Sequence, residues 1–177
     1  MQPGIRRIIG LSARAAAVLV VLAVVWVVVA PVYTGAIAGL AQTLSPALVK
    51  IQAEGNEVAL VYEQPALSRY PSARINGLTF HGGLILMAAL VLVSPEMHWK
   101  RRLLWLASWT GALLMFHVLT FALFAWALKW GADGAGINLR DILPFVPLTH
   151  IVIPAMAGGL WCSRYWLMPS LADRSRS

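Results

Sequence analysis

Leu11–Ala30 reads LSARAAAVLVVLAVVWVVVA, a run whose single charge, Arg14, lies near its start. A helix crosses a bilayer core in roughly 20 residues, so this run has the length of one span. Three more apolar runs follow at Gly77–Pro95, Leu103–Trp130 and Pro144–Trp166. None of them contains an acidic residue, and Arg164 sits near the end of the last. The pattern predicts an all-α membrane protein with four transmembrane helices and a small extracytoplasmic β-hairpin. Residues 1–177 form a single integral membrane domain in this reading. Its spans are 11–30, 77–95, 103–130 and 144–166, and its outer hairpin region is 46–64.

Composition agrees. Of 177 residues, 59% are hydrophobic and 12% charged, against about 25% charged in a soluble domain. A surface that apolar calls for lipid as the surrounding solvent. The net charge of +7 does not imply a nucleic-acid partner, because there is no dense basic stretch with interleaved aromatics. The cations cluster instead at span ends. Arg6, Arg7, Arg14, Lys100, Arg101, Arg102, Arg164, Arg174 and Arg176 fall on one side. Lys50, Arg69, Arg74, Lys129 and Arg140 fall on the other. This asymmetry places the N-terminus and C-terminus in the cytoplasm of a bacterial inner membrane, the chain being multi-pass. Glu54, Glu57, Glu63, Asp133 and Asp141 lie outside, consistent with that orientation. The first run follows Arg6 and Arg7, and Ala36-Ile-Ala38 resembles a signal cleavage box. It exceeds the about 7–15 apolar residues of a signal h-region, so an uncleaved anchor is expected.

Between the first two runs the pattern changes. Val49, Ile51 and Ala53 alternate with polar residues, Gly55-Asn56 signals a turn, and Val58, Leu60 and Tyr62 alternate again. This predicts the hairpin, with Val58, Leu60 and Tyr62 as an outer apolar edge. Ser45-Pro46 reads as the start of a short helix. Gln64–Asn76, with Pro65 and Pro71, reads as an extended loop. Pro31 is expected to kink the first helix, and Gly35 and Gly39 beyond it have close-packing GxxxG spacing. Trp99, Trp105, Trp161 and Trp166 are placed for an inner aromatic belt, and Trp126 and Trp130 for an outer one. Trp26 and Trp109 are expected between helices.

Three histidines lie inside spans: His81, His117 and His150. Ionisable residues at such depth invite a functional reading. At 1.5 Å per residue, His81 lies about 6 Å, His150 about 9 Å and His117 about 16 Å below the outer ends of their helices. All three therefore sit in the outer half and can converge. They are the candidate cofactor-binding residues. Haem b held between two imidazoles is the alternative to no cofactor, and His81 with His150 is the pair best matched in depth. No metal site is predicted, because no His pair has i, i+3 or i+4 spacing and no carboxylate lies within the spans. Hydrogen bonds to Thr79, Thr120 or Thr149 are the structural alternative. Cys162, the sole cysteine, excludes an internal disulfide and a CxxC pair. No catalytic residue is predicted. Arg69, Arg74 and Arg140 are candidates for contact with a partner or lipid headgroup. Small residues at Ala107 and Gly111, and at Ala155 and Gly159, permit close approach of another helix.

The order of parts resembles the small membrane proteins associated with exosortase H. The resemblance is carried by Gly55-Asn56-Glu57-Val58, by Ser72 to His81 (SARINGLTFH), by Ala88 to Pro95 (AALVLVSP) followed by Trp99, and by Pro154 through Trp161. It implies a non-catalytic accessory role beside a membrane-bound protein-sorting transpeptidase. The transpeptidases of that system use Cys, Arg and His at the outer face. Cys162 here falls on the inner side, so the chain does not resemble the enzyme itself. The expected partners are membrane lipid and another integral membrane protein.

Overall fold

The computed structural model describes residues 3–63, 73–95, 97–134 and 145–167. The chain is mostly helical and carries one small three-stranded antiparallel sheet. Helix α1 (Pro3–Thr43) leads into strands β1 (Val49–Glu54), β2 (Glu57–Tyr62) and β3 (Ala73–Asn76). Helices α2 (Gly77–Val93), α3 (Trp99–Ala132) and α4 (Phe145–Cys162) follow, and α4 ends in a π-helical turn, Ser163–Leu167. Among the described residues two helices, Ile8–Thr43 and Trp99–Ala132, are long and apolar enough to cross a membrane, where the sequence pattern predicts four spans; His81–Val93 is a shorter apolar segment.

The long helix α1 presents one packing stripe. Ala30, Thr34, Ile37, Ala38 and Ala41 are buried along it at the three-to-four-residue spacing of one helix face, and Leu11 is buried near its start. Its back is bare aliphatic surface: Val24, Val28 and Val32 are 68%, 77% and 75% exposed. Pro31 lies within the helix and does not end it. Its ring faces outward, and the helix continues through Gly35 and Gly39 to Thr43. No helix starts at Ser45. Its hydroxyl instead donates to Ala41 O at 2.7 Å and closes the end of α1.

The hairpin forms in the expected register, with Val49 opposite Tyr62, Ile51 opposite Leu60 and Ala53 opposite Val58. Gly55 takes φ +62°, the left-handed conformation its turn needs. The third strand was not expected. Residues 73–76 were read as loop, yet Val58 pairs with Ile75 and Leu60 with Ala73. A hairpin alone is marginal in water, and the added strand supplies a sheet with one apolar face. That face is turned inward. Val49, Ile51, Val58, Leu60, Ala73 and Ile75 join Ile37, Ala38 and Ala41 of α1 and Phe121, Phe124 and Leu128 of α3 in one core. Val58 and Leu60 are therefore buried and cannot be an outer apolar edge, which corrects that expectation. Tyr62 is half-buried, and its hydroxyl donates to Leu128 O at 3.0 Å. The exposed edge of β1 is held by Gln42, whose Oε1 accepts from Ile51 N–H at 2.6 Å.

A second core lies at the opposite end of α1. Leu11 meets Met87, Leu90 and Val91 of α2, Met97, and Trp161 and Trp166. Helix α2 is central and touches α1, α3 and α4. Its C-terminus is closed by Arg102, whose guanidinium donates to Leu92 O at 2.5 Å, Ser94 O at 2.7 Å and Met97 O at 2.9 Å. Charge-assisted bonds of this kind satisfy carbonyls that a helix end leaves without partners. Where α2 meets α4, a side chain on Gly83 would overlap Cβ and Cγ of Pro154, whereas one on Gly82 meets nothing within 4 Å. Gly83→Ala is expected to lower stability by about 1–3 kcal/mol through overpacking. Gly82→Ala should leave it unchanged or raise it by up to about 1 kcal/mol. Thermal unfolding of the two variants in the same detergent distinguishes these outcomes.

Candidate functional site

The three histidines do converge. They come from three helices, α2, α3 and α4, and all are buried. His117 stands between the others: its ring centroid is 6.1 Å from that of His81 and 5.0 Å from that of His150. The His117 and His150 planes are 10° apart, a face-to-face stack. Phe116 packs beside His150 at 5.0 Å. Antiparallel helices make this possible. Positions early in α2 and α4 meet a position deep along α3, where the chain runs the other way.

Helix α1 completes the cluster, and the sequence reading missed its contribution. The Tyr33 hydroxyl and His117 Nδ1 share a hydrogen bond at 3.1 Å, the hydroxyl donating when the imidazole proton is on Nε2. The Tyr33 ring meets His81 edge to face at 4.9 Å, and Trp26 does the same at 5.2 Å. Trp26, Tyr33 and Thr34 stand at i, i+7 and i+8, one helix face, and that spacing was the available signal. Thr34 Oγ1, His81 Nδ1 and Trp26 Nε1 are buried and have no hydrogen-bond partner among the described residues. Thr34 and His81 close on the same place: a Cβ on Gly77 would lie 3.1 Å from Thr34 Oγ1 and 3.0 Å from His81 Cε1. Buried polar groups with unused capacity beside one another suit a bound water or small polar group.

The expected threonine partners divide. The Thr120 hydroxyl donates to Phe116 O at 2.8 Å, and the side chains of Thr79 and Thr149 lie outside the described residues. Among the described residues, no group of three or more His, Cys, Asp or Glu side chains is arranged to hold a metal ion. Neither pair of histidines in ring contact is arranged for bis-histidine haem ligation. Bis-histidine ligation needs two imidazole nitrogens aimed at one iron across a macrocycle. His117 and His150 present ring faces to each other. Against His81 and His117 the space holds the Tyr33 ring, 4.9 Å from one and 6.0 Å from the other.

The other candidates are dispersed. Arg74, on β3, pairs with Glu54 at 3.2 Å on the exposed side of the sheet. Such surface pairs contribute about 0–1 kcal/mol. Arg69 and Arg140 lie outside the described residues. Cys162 is a free, half-buried thiol at the far end of α4, in the core around Trp161. Trp126 and Trp130 pack together beside the sheet, and Trp126 Nε1 donates to Leu44 O at 3.0 Å.

No protein-family model matches the chain. No curated protein and no solved structure matches it.

Two outcomes follow from this geometry. Tyr33→Phe removes the hydroxyl bonded to His117 Nδ1 and should cost about 0.5–1.5 kcal/mol, the net contribution of one hydrogen bond; thermal unfolding against wild type measures it. Protein purified from haem-replete cells should show no Soret absorption, and a stoichiometric Soret band would contradict the fit argued above.

Proposed function

We propose that this protein is a non-catalytic accessory component of a bacterial inner membrane, and that it binds another integral membrane protein through outward-facing helix surfaces. In this reading all four helices lie in the membrane, with both termini cytoplasmic. The bare valine face of α1 supports lipid as its surroundings. So do the exposed Leu104, Leu123, Met156 and Leu160 on α3 and α4. The burial of all three histidines supports a structural polar joint over a reaction centre.

The carrying observation is the use made of small residues. Gly83 and Gly158 are consumed inside the molecule, against Pro154 and Leu90. Gly35 and Gly39 on α1, Gly111 on α3 and Gly159 on α4 have nothing within 4 Å of a built Cβ. Ala107 and Ala155 are likewise exposed. Three helices thus turn small-xxx-small faces outward. In lipid, such faces let a second backbone approach closely, and packing of this kind drives helix association where the hydrophobic effect does not. The resemblance in layout to exosortase H-associated proteins directs the search for the partner towards a membrane-bound protein-sorting transpeptidase. Arg69 and Arg140 remain candidates for headgroup or partner contact.

Gly39→Leu, Gly111→Leu and Gly159→Leu test the proposal. Each is expected to leave thermal unfolding of the isolated chain within about 1 kcal/mol of wild type, since the site is open and Leu favours helix over Gly. At least one should reduce crosslinking to a membrane partner in native membranes. A wild-type chain that yields only self-monomer under the same crosslinking would count decisively against it.

A further inference from the structure

Away from the histidines, α2, α3 and α4 enclose a groove of about 320 Å³, near the lower end of the volume range of small-molecule pockets. Met87 and Val91 of α2 form its floor. On α4 and its π-turn, Ala157, Leu160, Trp161 and Arg164 line it at i, i+3, i+4 and i+7, so that wall passes from apolar surface, through indole, to guanidinium. On α3, Trp105 and Trp109 line it, and Arg101, outside the lining, precedes Trp105 by four residues on the same helix face.

The walls are fixed. Trp161 Nε1 donates to the buried Ser94 Oγ at 2.7 Å, and Ser94 Oγ donates to Leu90 O at 2.7 Å. Trp105 meets Trp161 edge to face at 5.3 Å, and Tyr165 lies 4.4 Å from Trp161. Arg164, at one end of the lining, is exposed and has no ion-pair partner among the described residues, and the same holds of Arg101, one turn before Trp105. An apolar trough with a guanidinium at its end complements an amphiphile with an anionic head.

We propose that this groove holds one chain of an anionic glycerophospholipid, its phosphate at Arg164 and Arg101 and its hydrocarbon over Met87 and Val91. Basic pockets between membrane helices recognise acidic headgroups in this manner, and indole and phenol rings such as those lining the groove favour the headgroup boundary. The proposal rests on lipid surrounding the helices, but not on any protein partner.

The experiment is native mass spectrometry of the full chain in mild detergent doped with equal amounts of phosphatidylglycerol and phosphatidylcholine. The wild type should retain one phosphatidylglycerol in preference to phosphatidylcholine. Arg164→Gln should lower that retention roughly fivefold, the effect of one basic residue at a lipid surface. Ala157→Trp, which fills the trough, should abolish it; Leu160→Trp serves if the first variant does not fold by circular dichroism. Equal retention of the two lipids by wild type overturns the proposal, as does phosphatidylglycerol retention that survives a folded trough-filling variant. A photocrosslinker at position 160 in native membranes should capture lipid, and capture of a protein there overturns the assignment. The partner proposal is read separately through Gly39, Gly111 and Gly159, so either can fail while the other stands.

Discussion

The long helix α1 packs against α2, α3 and the sheet. Leu11 enters the core around Trp161, Tyr33 and Thr34 enter the histidine cluster, and Ile37 to Ala41 form the bed of the sheet. Helix α4 is held chiefly through α2. A helix that long, with valine over its back, gains little from its exposed side in water. Its single packed face has to organise the whole molecule, and it does so in three layers of different chemistry. Apolar packing holds the two ends, and between them lies the polar joint of Tyr33 with the histidines.

The placement of that joint explains its composition. A charged residue between helices in an apolar layer carries a large desolvation cost, whereas a neutral imidazole offers one donor and one acceptor at a smaller cost. Three of them, stacked and edged by Trp26, Tyr33 and Phe116, give directional contacts among four helices. Apolar side chains in the same place would permit sliding or rotation of one helix against another. Polar networks specify arrangement in this way when their members are satisfied, and Thr34, His81 and Trp26 mark where that satisfaction is incomplete among the described residues.

Much of this was legible because it depends on periodicity. The apolar runs located the helices, and the alternation around Gly55-Asn56 located β1 and β2 with their register. Counting depth along antiparallel helices brought His81, His117 and His150 together. What escaped depends on contacts between distant residues. Ala73–Asn76 is too short to declare itself a strand and becomes one only because β2 has a free edge beside it. Val58 and Leu60 alternate correctly, but alternation does not say which face is inward. Arg102 counted as one more cation at a span end, and only the fold shows its guanidinium closing α2. The GxxxG spacings were visible as motifs, yet spacing alone could not separate Gly83, packed on Pro154, from Gly82, which faces open space.

The shortness of α2 ties these details together. At 1.5 Å per residue its 17 residues reach about 25 Å, less than the roughly 30 Å of a bilayer core. With lipid around it, neither end of α2 could rely on water for its unpaired backbone groups, and each such group is costly in hydrocarbon. Protein groups meet part of this need at both ends. Arg102 covers the C-terminal carbonyls, and Asn56 O accepts from Gly77 N–H at 2.6 Å at the start. A Cβ on Gly77 would lie only 2.5 Å from that same oxygen, so β3 passes into α2 through a residue without a side chain. The third strand is thus more than an addition to the hairpin. It delivers the chain to a helix start that is already closed, and so allows a short central helix to sit where its first turns carry His81 into the cluster and its last turns floor the arginine-mouthed groove.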